Sequence, residues 1–260
     1  MAADRFALFA AALLATACNT IVGPSTPDNN WRVHDSARFS LYARPGSFAE
    51  ANVSTFADVL EDQYTFALRA LDVRLDRRIS GFLYESGSDA GREGDRGGTA
   101  YAVTGAFKAV CAPPLNGNLL VTLQHESNHV IAGSALGQAG THLITEGLAS
   151  AVMSEHYHRL GRTFLFAWTR DHRAEIAPLA DLTDDGRWPD LNQRAAYNAG
   201  ASFVAYALEN YGPERFKALY SARSNEFADR VRSVYGKSLQ DLEAEWLRFC
   251  ATFSAPIGSA

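Results

Sequence analysis

The chain has 260 residues, of which 47% are hydrophobic and 20% charged, enough apolar material for the core of one domain or of two closely packed lobes. Its 24 basic and 29 acidic side chains leave a net charge of −5 and are mixed along the sequence, with no Lys/Arg block. That pattern argues against nucleic acid as a partner and gives an anionic membrane surface no basic patch to hold.

The first 18 residues, MAADRFALFAAALLATAC, carry Arg5, an apolar run from Phe6 to Ala15 and small residues up to Cys18. A short charged start, an apolar stretch too short to span a bilayer and a small-residue zone are the features of an export signal. The ending LLATAC resembles a bacterial lipoprotein signal, although Ala15 stands where leucine is usual and Asp4 offsets Arg5. The resemblance implies lipid on Cys18 as the only tie to a membrane, and a periplasmic or cell-surface location. Cys111 and Cys250 then remain. Export permits them to form a disulfide, and two buried free thiols are the competing reading.

Residues 19–37, with Pro24, Pro27 and Asp28-Asn29-Asn30, read as a linker. In ARFSLYARPG, Phe39, Leu41 and Ala43 alternate with polar neighbours, which predicts a strand stopped at Pro45-Gly46. Ser47 can cap a helix whose apolar positions (Phe48, Val53, Phe56, Leu60, Tyr64, Ala67, Leu71) recur at helical spacing. RRISGFLYES is a second strand. The glycine-rich, charged stretch 87–98 is a loop, and TAYAVTGAFKAVC (99–111) is an extended segment rich in β-formers. From residue 118 the period becomes helical: Leu119–Leu136, Thr145 to about Leu160, Ala196–Tyr211 ended by Gly212-Pro213, Glu214–Tyr220 and Leu239–Phe253, with 181–195 a loop. The plan is α+β: a small N-terminal sheet with a helix (38–117), then a mainly helical lobe (118–255).

Residues 123–133 read LQHESNHVIAG. On a helix, residues i and i+4 share a face, so His125 and His129 can present two imidazole nitrogens to one ion at about 2.0–2.1 Å. Glu126 is rotated from His125 by roughly 100°, beside such an ion rather than on it. There a carboxylate can take the proton of a water whose pKa zinc lowers. Leu119, Leu120, Leu123, Val130 and Ile131 make this helix broadly apolar, so its polar side chains are not simply solvated. A catalytic zinc also needs a third protein ligand and an open position, and His142, Glu146, His156 and His158 all follow within reach of a chain reversal.

HESNH followed by LITEGLASA (143–151) resembles the gluzincin metallopeptidases, whose third ligand is a glutamate on the next helix in a segment such as Asn-Glu-Gly or Ser-Glu-Gly. The resemblance implies one zinc per chain held by His125, His129 and Glu146, with Glu126 as general base, on a zincin (thermolysin-like) fold. His142 falls ahead of the expected helix, and His156 and His158 lie three or more turns along it. The segment 195–220, AAYNAGASFVAYALENYGPERFKALY, looks like the one that follows the ligands in aminopeptidase-N-like members. By that likeness Tyr197 donates its hydroxyl to the oxyanion and Gly200 matches the family glycine.

Two departures stand out. No segment resembles Gly-Ala-Met-Glu-Asn, the handle for a free amino terminus, so aminopeptidase activity does not carry over. Ser150 occupies the place where thermolysin-like enzymes carry an aspartate that orients a histidine, so that partner is expected from elsewhere. The expected function is a zinc-dependent endopeptidase acting outside the cytoplasm on peptide or protein, with 99–108 as the edge strand that pairs with substrate. The 87–98 loop either covers the cleft or simply connects strands. Trp168, Trp188 and Phe164 are candidates to line a pocket, with core packing as their ordinary job. The alternative is a lipoprotein on the same scaffold that binds peptide or cell-wall fragments without turnover.

Overall fold

The computed structural model describes residues 30–91, 97–156 and 161–253. The expected export signal, Cys18 and residues 19–29 of the expected linker lie outside these. Five strands form one sheet: β1 (Arg32–Asp35), β2 (Phe39–Ala43), β3 (Ile79–Tyr84), β4 (Gly98–Tyr101) and β5 (Ala106–Val110), in spatial order β1-β2-β3-β5-β4. The β2–β3 and β3–β5 pairs are parallel, and β1 and β4 add antiparallel at the two edges.

β1 lies inside the stretch expected to be linker. It pairs from Arg32 with Ala43 to Asp35 with Ser40, yet its side chains are mostly exposed, so it carries no hydrophobic alternation to read. The parallel step from β2 to β3 runs through α1 (Phe48–Ala51) and α2 (Val53–Leu71), as a parallel pair requires. Ser47 caps α1 by accepting from the Glu50 N–H at 3.0 Å. The single helix expected there breaks at Asn52, whose φ of −115° and ψ of 8° close α1 and open α2. Phe56, Leu60, Tyr64, Ala67 and Leu71 form the buried stripe of α2, at the spacing that an amphipathic helix requires.

Residues 99–111, expected as one extended segment, fold as a hairpin. β4 is the edge and β5 an interior strand, paired from Gly98 with Ala109 to Tyr101 with Ala106. The turn between them ends at Gly105, whose φ of +73° suits glycine. Arg77 holds this turn, donating from its guanidinium to the carbonyls of Ala102 (3.2 Å) and Val103 (3.0 Å).

The helical part comprises α3 (Gly117–Leu136), α4 (His142–Ala151), α5 (Arg162–Asp171), α6 (Leu179–Leu182), α7 (Gln193–Tyr220), α8 (Phe227–Tyr235) and α9 (Leu239–Ala251). Residues 181–195, expected as a loop, hold the end of α6, a short 3-10 turn at Trp188–Asp190 and the start of α7. α7 is one hydrogen-bonded run broken at Gly212 (φ 80°, ψ 165°), where Gly212-Pro213 was expected to end a helix. α4 stops at Ala151 instead of continuing towards Leu160. Past that point the backbone leaves the helix to meet Gln63 of α2: the Ser154 N–H donates to Gln63 Oε1 at 2.8 Å, and Gln63 Nε2 donates to the Val152 carbonyl at 2.7 Å and to Asn128 Oδ1 at 2.6 Å. Three hydrogen bonds between buried polar groups form at once, which stabilises this path over another helical turn.

Cys111 and Cys250 are both buried and free, which decides against the disulfide. Burial pushes both thiols up, Cys250 to about 11. No helix among the described residues is long and apolar enough to cross a membrane.

Candidate metal centre

α3 is the helix on which the site depends. Asn116 caps its start, with Oδ1 accepting from the N–H groups of Asn118 (3.1 Å) and Leu119 (3.2 Å). It packs against α2, α4 and the β4–β5 hairpin, so its residues from Leu119 to Ala132 are nearly all buried. That confinement puts His125 (4% exposed) and Glu126 (2% exposed) in the interior. Such polar side chains demand partners.

His125 and His129 find theirs in each other and in Glu146. The two Nε2 atoms are 3.0 Å apart, His125 Nε2 lies 3.1 Å from Glu146 Oε2, and His129 Nε2 lies 3.4 Å from the same oxygen. These three side chains form a cluster that could hold a metal ion, each offering one ligand atom. The spacing suits a tetrahedral ion: bonds of about 2.0–2.1 Å imply ligand atoms roughly 3.3 Å apart. Burial alone would hold Glu146 neutral, but the charge on His129 and the hydrogen bonds from both histidines outweigh it and keep the carboxyl well below its usual range. For His129, burial works against the charged form, and Glu146 and Glu126 reverse that and raise its pKa.

Glu146 reaches the histidines because α4 and α7 cross closely. A Cβ on Gly147 would lie 2.6 Å from the Gly200 carbonyl oxygen, so only glycine lets the two backbones meet there. One turn before Gly200 on α7, Tyr197 is thereby brought to the cluster, with its ring centroid 6.5 Å from that of His125. Its hydroxyl is buried and has no hydrogen-bond partner of ordinary geometry among the described residues. Burial, then the carboxylates of Glu146 and Glu126, push its pKa up, so the group remains a phenol and a proton donor. A buried donor without a well-formed hydrogen bond, beside two imidazoles and two carboxylates, fits a site built to receive something polar.

Glu126 is not one of the three converging residues. It lies under the β4 edge, where Gly98 makes room: a Cβ there would overlap Glu126 Cγ and stand 2.6 Å from both Glu126 Cδ and the Lys108 carbonyl oxygen. Only residues 99–101 of the expected edge segment 99–108 are at the edge, within β4, and the rest belongs to the turn and to β5.

Ser150 is the residue that sequence reasoning missed. Its Oγ lies 3.1 Å from His125 Nδ1, so the orienting partner sits where the aspartate was found lacking, on the same face of α4 as Glu146. With the proton on Nδ1 donated to the hydroxyl, Nε2 presents its lone pair to the cluster. If the cluster holds a metal ion, Ser150→Ala is expected to weaken its binding about 10-fold, measured by competition with a chromogenic chelator, without unfolding the chain. Unchanged affinity would show that Ser150 does not orient the ligand.

The rival histidines are elsewhere. His142 is the first residue of α4 rather than ahead of it, and its Nδ1 pairs with Asp185 Oδ1 at 3.0 Å. His156 lies beyond the end of α4, exposed, 3.9 Å from Asp62. His158 is outside the described residues. Trp188 is buried beside Tyr197, Trp168 stacks on His172 and Phe164 is exposed on α5. The 87–98 loop is described only in part. Neither a known family model nor a curated protein sequence matches the chain.

Proposed function

We propose that the chain is a zinc-dependent metallopeptidase of the gluzincin kind, with a zincin-like catalytic domain, cleaving within peptide or protein substrates outside the cytoplasm. The observation that carries this reading is the convergence of His125 Nε2, His129 Nε2 and Glu146 Oε2 at 3.0–3.4 Å, beside a buried carboxylate that is not among them. His125, His129 and Glu146 would hold the zinc, which would supply Lewis acidity to the attacking water and the scissile carbonyl. Glu126 takes the proton of the attacking water at its carboxylate and delivers it to the nitrogen of the departing amine. Tyr197 donates its hydroxyl to the oxygen on which negative charge develops. The outer side of β4 offers backbone groups to an extended substrate, which would lie with its backbone over Glu126. Ser150 keeps His125 in the tautomer that the cluster needs.

The test is metal content by mass spectrometry on protein purified without added metal, together with digestion of quenched-fluorescent casein. About one zinc per chain is expected, with cleavage removed by 1,10-phenanthroline and restored by zinc. A chain that takes up no zinc even when it is supplied would sink the reading. A chain that holds zinc but cleaves nothing in a broad peptide library would instead be the binding protein without turnover.

A further inference from the structure

With no hydrogen bond of ordinary geometry at its hydroxyl among the described residues, Tyr197 is placed largely by what its ring touches. Besides His125, that is Trp188, with ring centroids 5.9 Å apart and planes at 54°. Trp188 is buried, and its other ring neighbour is His142, stacked at 6.0 Å with planes 18° apart. His142 is in turn fixed twice by one carboxylate: Asp185 Oδ1 lies 3.0 Å from its Nδ1 and accepts from its backbone N–H at 2.8 Å.

The loop bearing Asp185 and Trp188 is itself pinned. The Asp185 N–H donates to Ser224 Oγ at 3.1 Å, and Gln193, the first residue of α7, donates from Nε2 to the Trp188 carbonyl at 2.7 Å. A protonated imidazole at the first position of a helix is disfavoured by the helix dipole, so His142 is an odd residue to find there. The hydrogen bond to Asp185 outweighs burial and raises its pKa, and the same bond orients the ring.

We propose that Asp185 is a positioning residue: it fixes His142, the pair fixes Trp188, and Trp188 sets where the Tyr197 hydroxyl stands beside the His125–His129–Glu146 cluster. This rests on the reading of Tyr197 as the donor to the oxyanion. The same carboxylate caps the helix that carries Glu146, so a single residue registers the donor and the third ligand against each other. Such registration matters because a reacting group displaced by about 1 Å can lose about 100-fold in rate.

The test uses the full chain with 3-fluorotyrosine at position 197, followed by fluorine NMR, in the wild type and in Asp185→Asn, Trp188→Phe and Trp188→Ala. Asp185→Asn retains the shape and an acceptor oxygen but removes the charge. Zinc is expected to move the position-197 resonance in the wild type. Asp185→Asn and Trp188→Ala should shift or broaden the zinc-loaded resonance, with Trp188→Phe closer to wild type. On quenched-fluorescent casein, Asp185→Asn should lower kcat about 10-fold with little change in KM, and that loss should vanish when Tyr197→Phe is already present. A general loss of structure would instead lower kcat alike in both backgrounds. An unmoved resonance in every variant, or losses that simply add, would overturn the Asp185 relay. A resonance indifferent to zinc in the wild type would remove the role of Tyr197 itself, a different failure, and the resonance decides between them even if no cleavage occurs.

Discussion

Glu126→Gln is expected to leave about one zinc on each chain and to lower kcat by roughly 1,000-fold or more, within the range of lost general acid–base catalysis. The substitution retains size and shape in a pocket closed over by Gly98, so packing is undisturbed. It removes the only feature that the proposed reaction requires of this side chain, a carboxylate able to accept and then release a proton. The three converging residues are untouched, so metal content should match the wild type. His129→Ala provides the contrast, because it removes a ligand and should lose the zinc along with the activity. Mass spectrometry and a casein digest on the same preparations separate the two. A Glu126→Gln protein that retained near wild-type turnover would show that another group moves the proton.

Gly98→Ala is expected to lower kcat about 100-fold or more and to destabilise the fold by about 1–3 kcal/mol, the usual cost of forcing extra volume into a packed site. The added methyl has nowhere to go. It would overlap Glu126 Cγ on one side and approach the Lys108 carbonyl oxygen to 2.6 Å on the other, so either the carboxylate or the β4 edge must move. Both movements separate the proton acceptor from the place where a substrate would lie. Gly133→Ala is the control, since its methyl meets Ala102 at the hairpin turn and not Glu126. It should cost stability of the same order while sparing most of the turnover. Urea denaturation and steady-state kinetics on the two variants give both quantities, and a fully active Gly98→Ala protein would refute the placement of Glu126 under the strand.

The parts of this site that were legible from spacing alone are those set by one helix, while Glu146 and Tyr197 were named through the resemblance. His125, Glu126 and His129 fall on α3 at a spacing that fixes their relative directions whatever surrounds them. Ser150 and Asp185 were not legible in the same way, because a hydroxyl four residues beyond Glu146 and an acid in a loop acquire meaning only once α4 packs on α3 and the loop returns to its start. The fold follows the same division. Phe39, Leu41 and Ala43 announced β2 through apolar residues at alternate positions, whereas the exposed β1 had no pattern to offer. The β4–β5 hairpin escaped because Val103 and Thr104 at its turn are themselves β-formers, leaving Gly105 as the single punctuation. The early end of α4 was set by Gln63, far away in sequence, and no local propensity reports that.

α3 is enclosed by helices on one side and by the sheet on the other, and this has a thermodynamic consequence. A helix buried along most of its length has no cheap local opening, so amide hydrogens around His125 and His129 should exchange with solvent only when the whole lobe unfolds. Any ion bound there is then linked to the global equilibrium, and its affinity adds to the stability of the entire fold in proportion to the logarithm of its free concentration. The metal would act as a clamp on folding as well as a reagent, raising the stability of the whole lobe and not of α3 alone.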